Sequence, residues 1–357
     1  MITSSVQTAD ARLSTVVATL SAVLGEPVVS AEPIGFGRNS QVYKVTGPDA
    51  RRYVGKFYFR HPLDGRNRLV VEFSSLQFLQ SHGVTNVPVP IAVDERRGCA
   101  VYEYIDGDPI VSADVTVHDI EAAVDFLATL RRLRDAQGSR TLPLASEASF
   151  SFSAIMANLE QRFSRLSAVS SDEDQYLALC VFLQREWRPA YERITRWCRA
   201  GLERVGMPLE RELPEQERTL SPSDFGFHNA LRRDGRLVFF DFEYFGWDDP
   251  AKTAADFLLH PAMILPEELK RRFVSTLVSR LEGGTAMSQR VELVYPLYGL
   301  KWCLLLLNEF VPQDLLRRGL AQRSARKRAT IQEEQLNKSR RMLERITHEY
   351  EHFPYCY

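Results

Sequence analysis

Residues 221–231 read SPSDFGFHNAL, and residues 236–250 read RLVFFDFEYFGWDDP. Asp234 and Gly235 stand between them, the dipeptide that most strongly favours a tight β-hairpin. The segment therefore sets out Asp224, then Asn229 five residues later, then Asp241 across a short hairpin. Transfer of a phosphoryl group to an alcohol asks for this set: a carboxylate to take the hydroxyl proton, and hard oxygen donors for Mg²⁺. Pro222, two residues before Asp224, is the unexpected member.

Upstream, residues 35–42 read GFGRNSQV. A dinucleotide fingerprint needs a strand before the glycines and a helix after them. Here a β-type segment follows and Ser40 occupies the third glycine position, so the stretch reads as a glycine-rich turn between two strands that covers phosphates. Gly35, Gly37, Asn39 and Ser40 form the turn, and Val42 is placed to pack on a purine. An ordinary Gly-rich hairpin is the alternative for the loop taken alone. Lys56 follows in the strand YVGKFYF, and Glu72 in the helical RLVVEFSSLQFLQSHG. A strand lysine is costly to bury unless it meets an anion. The chain has seven Lys against 38 Arg, and Lys56 is the single Lys between Lys44 and Lys252.

The wider pattern is β-rich at first and helical afterwards. A helix is expected over 9–24, strands near 42–45 and 51–60, a helix over 68–83, and two strands within 87–105. DGDPI at 106–110 is the expected hinge or linker. Helices are expected over 117–135, 152–168, 172–205 kinked or divided at Pro189, 250–259, 266–282, 287–310 and 316–350. The expected organisation is an α+β fold of two lobes: residues 1–105 as a small β-rich nucleotide-binding N-lobe, 106–110 as linker, and 111–357 as a larger helical C-lobe.

Composition narrows the classes. The 357 residues carry 45% hydrophobic and 25% charged residues and a net charge of -1. Near-neutral charge gives no general attraction to nucleic acid or anionic membrane. RSARKR and KSRR near the end are interleaved with glutamates and read as a solvated helix face. Five Cys without a C-x-x-C pair point to reduced, buried thiols. The N-terminus lacks the basic and apolar regions of a signal peptide, and no apolar run spans a bilayer. A cytoplasmic protein is expected.

The order of Gly-rich loop, strand Lys, helix Glu, linker, D-x-x-x-x-N, hairpin and Asp resembles the aminoglycoside phosphotransferase and choline kinase-like group of small-molecule kinases, which has a protein-kinase-like fold. The resemblance covers about residues 30–260 and rests on IGFGRNSQVYKV, Lys56, Glu72, VYEYIDG, SDFGFHNAL and FFDFEYFGWDDPAKTAADF. It implies Asp224 as catalytic base, Asn229 and Asp241 as Mg²⁺ ligands, and Lys56 on the phosphates of ATP, or GTP, steadied by Glu72. It places backbone groups of Glu103 and Ile105 against the adenine. Protein kinases fit less well, because Asp241 is followed by Phe-Glu rather than Phe-Gly. Where the group writes His-Gly-Asp, this chain writes Pro222-Ser223-Asp224. The implied activity is ATP- and Mg²⁺-dependent phosphorylation of a hydroxyl on a sugar, amino sugar or amino alcohol. The alternative raised by Pro222 is a nucleotide-binding pseudokinase or scaffold with an impaired loop. Glu243, Trp247, Tyr298, Trp302 and Glu309 are the candidates for the acceptor pocket, an acid-and-aromatic set suited to a cationic amine or a sugar face; at helical spacing such aromatics also serve as core.

Overall fold

The computed structural model describes residues 2–36, 39–60, 65–169, 171, 173–282, 284–312 and 325–355. Gly37, expected in the phosphate loop, lies outside them, as do residues 316–324 of the expected final helix and Cys356. The chain forms two compact units, residues 1–109 with 229–245, and residues 110–228 with 246–357. Together they make the α+β fold expected, with a small antiparallel sheet in the first unit and mainly helices in the second.

In the first unit, strands β1 (Ser30–Phe36), β2 (Ser40–Thr46), β3 (Arg52–Tyr58), β4 (Pro90–Asp94) and β5 (Cys99–Glu103) form one antiparallel sheet in the order β1-β2-β3-β5-β4. Helix α1 (Ile2–Leu24) covers one face, where Val16 and Leu20 pack with Tyr43, Val45, Tyr53 and Val101. Gly55 makes that approach workable, since a Cβ there would come within 2.9 Å of the Leu20 methyls. Side chains alternate along a strand, so the neighbour of Gly55, Lys56, faces the other side. There helix α2 (Arg68–Ser81) brings Glu72, Phe73, Leu76 and Leu79 inward.

The linker is more ordered than its composition suggests. Asp108–Pro109 form a two-residue strand, β6, paired with β8 (Ala230–Arg233), which turns at Asp234-Gly235 into β9 (Arg236–Phe239). Both turn residues have positive φ, 51° and 74°, as a two-residue hairpin of this twist requires. Gly107 lies against this strand: a Cβ would meet the Arg232 carbonyl oxygen at 2.9 Å. The hairpin is tied to the first unit through Phe239 N–H to the Asn86 carbonyl and Arg233 to Glu103 at 2.8 Å.

The second unit contains helices α3 (Val117–Arg132), α4 (Phe152–Ser167), α5 (Asp174–Val181), α6 (Arg188–Arg204), α7 (Pro250–Leu259), α8 (Glu267–Arg280), α9 (Gly284–Leu306) and α10 (Ala325–Glu349), with the short pair β7 (Thr219–Ser221) and β10 (Gly246–Asp248). Pro189 does not break the 174–204 stretch. It sits in the first turn of α6, and the helix passes through a π segment, Phe182–Trp187, which accommodates the ring and the missing N–H. Asp249 caps α7 by accepting from Ala251 N–H at 2.9 Å, with Pro250 at the first helical position. Cys99, Cys198 and Cys303 are buried as expected, whereas Cys180 is exposed. Among the described residues no helix is long and apolar enough to cross a membrane.

Candidate active site

In the first unit the lysine singled out by the sequence lies among carboxylates. Lys56 Nζ is 2.7 Å from Glu72 Oε2, 2.7 Å from Asp241 Oδ1 and 3.6 Å from Glu243 Oε2. Burial by itself would push this ammonium down; the carboxylates of Asp241, Glu72 and Glu243 outweigh it and hold the group well above the ordinary lysine value. Glu72 is fixed from three sides: by Lys56, by the Tyr58 hydroxyl at 2.6 Å and by Phe242 N–H at 3.3 Å. Burial drives its carboxyl above the usual range.

The three carboxylates differ in access. The side chains of Glu72 and Glu243 are 5% and 4% exposed, and that of Asp241 is 35% exposed. Only Asp241 can reach an incoming ion without rearrangement. Its backbone is held at φ 67°, a left-handed conformation that costs about 1–3 kcal/mol for a non-glycine residue and turns this carboxylate toward Lys56. Phe240 N–H donates to the Asn229 carbonyl at 3.0 Å, which sets Asn229 beside Asp241 at the base of the hairpin. Glu72, Asp241 and Glu243 each offer an oxygen within 4.8 Å of the others. This set of carboxylate oxygens, three acids against Lys56 and Arg68, fits a hard divalent cation such as Mg²⁺.

Glu243, expected at the acceptor pocket, belongs instead to this cluster. Its Oε1 accepts from Asn39 Nδ2 at 2.7 Å and lies 3.7 Å from Arg68 Nε. Asn39, in the Gly-rich turn, also donates to the Tyr244 hydroxyl at 2.6 Å. Burial raises the Glu243 carboxyl to about 7, against the pull of Lys56. Gly35 pairs with Val42 beside a bulge in β1, Val42 lies opposite Lys56, and Ser40 is buried opposite Tyr58. At the expected adenine edge, Glu103 N–H is already engaged with the Val89 carbonyl at 2.9 Å, and Ile105 is buried.

In the second unit Asp224 ends a loop held almost wholly by side chains. Ser223 has φ 67°; its N–H donates to Ser221 Oγ at 3.0 Å, and its hydroxyl donates to the Ser146 carbonyl at 3.0 Å. Ser221 Oγ in turn bonds Thr253 Oγ1 at 3.0 Å. Lys252 Nζ donates to Ser223 Oγ at 3.0 Å and pairs with Asp248 at 2.6 Å and Asp256 at 3.4 Å. Pro222 thus needs no imidazole of its own to keep the turn: Ser221, Ser223, Thr253 and Lys252 provide the polar support. Asp224 is 38% exposed in its side chain and accepts from His228 Nε2 at 3.1 Å. Burial raises its carboxyl, but the His228 hydrogen bond and nearby positive groups leave it below the ordinary aspartate value.

The other acceptor candidates separate. Trp302 donates from Nε1 to Asp256 at 3.0 Å and lies perpendicular to the ring of His260, which stands 3.6 Å from Asp224. Trp247 donates to the Ser139 carbonyl at 3.0 Å. Tyr298 is fully buried in α9, and Glu309 is buried with Gln332 Nε2 on its carbonyl. These two are packed as interior groups.

Sequence reading missed Lys252, Ser221, Thr253 and His260. A signal for Lys252 was present. Lys56, Lys252, Lys270 and Lys301 are all buried in a chain whose surface cations are mainly Arg, so the scarcity that marked Lys56 applied equally to Lys252.

A model of the phosphotransferase enzyme family, APH, matches residues 30–291. A search among curated proteins found no matching sequence. Solved structures of like fold include spectinomycin phosphotransferase APH(9)-Ia in complex with ADP and spectinomycin, at 12% identity and TM-score 0.66, covering 95% of this chain and 98% of that one. Choline kinase LicA from Streptococcus pneumoniae aligns at 15% identity and TM-score 0.57, over 93% of this chain and 98% of that one. Amicoumacin kinase hAmiN in complex with AMP-PNP, Ca²⁺ and Ami aligns at 13% identity and TM-score 0.55, over 94% and 93%. At these identities the likeness is one of fold, whereas the family match spans well over half of the sequence. The chain belongs to the phosphotransferase enzyme family and is a small-molecule kinase.

Proposed function

We propose that the protein transfers the γ-phosphoryl group of ATP to a hydroxyl of a sugar, amino sugar or amino alcohol, with Asp224 as the base and Asn229 and Asp241 as metal ligands. The observation that carries this reading is the Lys56 cluster. A buried ammonium is gripped by Glu72 on one side and by the open carboxylate of Asp241 on the other, so that it is aimed toward the side from which phosphate oxygens would approach. Mg²⁺ bound there would neutralise charge developing on the transferred group.

The protein's own part is mainly positioning. Lys56 bears on the phosphates, with Glu72 and Tyr58 fixing it. Residues 35–42 cover the phosphates, and the backbone at Glu103 and Ile105 borders the base. Asp224 accepts the proton of the acceptor hydroxyl as its oxygen attacks phosphorus; the bond from phosphorus to the β–γ bridging oxygen breaks and ADP leaves. On this reading residues 1–105 form the nucleotide-binding part, 106–110 the hinge, and the rest carries base and acceptor pocket in a cytoplasmic enzyme.

The support for an aminated or hydroxylated small acceptor comes from Trp302, Asp256 and Asp224, an aromatic face and acids along one run of contacts in the second unit. The neighbour crystallised with spectinomycin is in keeping with that class. The test is ADP release from MgATP, and from MgGTP in parallel, over a panel of amino sugars, sugars and amino alcohols, with Asp224→Ala alongside. Acceptor-dependent release by the wild type, lost in the variant with nucleotide binding retained, supports the reading. Nucleotide binding without transfer to any acceptor would favour the pseudokinase instead.

A further inference from the structure

Asp224 is braced by two imidazole rings that no part of the phosphotransfer reading uses. His228 Nε2 stands 3.1 Å from Asp224 Oδ1, and His260 Nε2 stands 3.6 Å from the same oxygen. The two imidazoles are parallel, 3.9 Å apart at 2°. Trp302 lies edge-to-face with His260 at 4.8 Å and 90°, and is itself anchored through Nε1 to Asp256.

The protons can be placed. His228 Nδ1 is buried without a hydrogen-bond partner. A proton there would be a buried donor with nothing to accept it, so the neutral ring carries its proton on Nε2, facing the carboxylate. His260 Nδ1 accepts from Ala262 N–H at 3.1 Å, which puts its proton on Nε2 as well. Two N–H groups therefore face one oxygen of Asp224, the nearer as a hydrogen bond and the farther as a polar contact.

Two imidazoles and a carboxylate also suggest a transition-metal site. Proton placement argues otherwise: an ion on the two Nε2 atoms would move both protons to Nδ1, where His228 is buried without an acceptor and His260 meets the Ala262 N–H.

We infer that His228 and His260 are positioning residues: the stacked pair, steadied by Trp302, pins Oδ1 of Asp224 and so fixes the plane of the carboxylate and the direction in which Oδ2 meets the acceptor hydroxyl. The inference rests on Asp224 being the base. Each ring has its own part. His228 supplies the hydrogen bond, and His260 holds the plane of His228.

The test has two arms. In the first, the protein labelled with ¹⁵N-histidine is observed by side-chain NMR without nucleotide, its seven His being resolved by substitution. His228 should carry its proton on Nε2, and Asp224→Asn should shift its resonances. An Nδ1–H tautomer, or resonances indifferent to Asp224→Asn, overturns the inference. In the second arm, transfer to the best acceptor is measured. His228→Leu should lower kcat by about 10- to 100-fold with the KM for MgATP unchanged, as a misdirected base would. His228→Gln, which keeps an N–H near the same place, should recover most of that loss. His260→Phe should retain more activity than His260→Ala, because it keeps the stack. Equal kcat for His228→Leu and wild type overturns the brace and leaves the function standing. A wild type that phosphorylates nothing overturns the function, while the NMR arm still decides whether the rings hold the carboxylate. Stoichiometric Zn²⁺ binding abolished by His260→Ala would replace the brace with a metal site.

Discussion

Lys252 Nζ donates to Ser223 Oγ at 3.0 Å while paired with Asp248 at 2.6 Å, and both ions of that pair are buried. The lysine therefore joins the first turn of α7 to the residue immediately before the candidate base. Lys252→Met leaves Asp248 as a buried, uncompensated charge and should cost about 3–5 kcal/mol of stability. Adding Asp248→Leu should restore much of the stability. It should not restore kcat, since Ser223 still lacks its donor. Urea unfolding and acceptor-dependent ADP release on the single and double variants check this; parallel recovery of both would show the lysine to be purely structural.

Asp241→Asn separates catalysis from stability. Lys56 keeps Glu72 and Glu243, and those two acids lose the repulsion of a third carboxylate, which offsets the attraction Lys56 loses; the variant should unfold no more easily than the wild type. Transfer should fall by at least about 100-fold, because the proposed open metal ligand is lost. Saturating MgATP at about 100 Kd should stabilise the wild type by about 2.7 kcal/mol. The same addition should stabilise Asp241→Asn distinctly less, which thermal melts with and without nucleotide will read.

Glu243 gives the cluster a pH dependence. Its folded-state pKa is raised to about 7 by burial, against an ordinary glutamate value of about 4.3. The folded chain then holds a proton that the unfolded chain has released, and metal-free stability contributed by this group is present at low pH and lost as pH rises from about 4 to 7. A cation in the cluster competes with that proton. Mg²⁺ with ATP should accordingly raise the melting temperature more at pH 8 than at pH 6, and Glu243→Gln should flatten the difference.

Two glycines make contrasting reporters. At Gly226 a Cβ would come within 2.7 Å of His228 Nδ1 and 2.9 Å of Met263 Sδ, both side-chain atoms able to move. Gly226→Ala should displace His228 and reduce kcat while the protein stays folded. At Gly246 the Cβ would run into the backbone of Pro143, Leu144 and Ala145, where Trp247 N–H donates to the Pro143 carbonyl and Trp247 O accepts from Ala145 N–H. Gly246→Ala should lower stability itself, measurable by denaturation without any assay of transfer.

The sequence by itself determined the order of the parts and the local form of each. Asp234-Gly235 is a hairpin because both residues take positive φ, and Asp249-Pro250 starts a helix because one caps it and the other needs no N–H partner. Such signals act within a few residues, so they survive without knowledge of the fold. The pairing of Lys56 with Glu72 was legible for a related reason: a strand lysine in a β-rich segment requires an anion, and the next helix carried one. Tertiary structure decided which acid is open. Glu72, Asp241 and Glu243 are alike as residues, yet only Asp241 reaches solvent, because access depends on what packs around each. It also decided how the loop at Pro222 is held, by Lys252 and Thr253 some thirty residues later, and it brought His260 to His228. Contacts of that span arise from packing, and no local spacing encodes them.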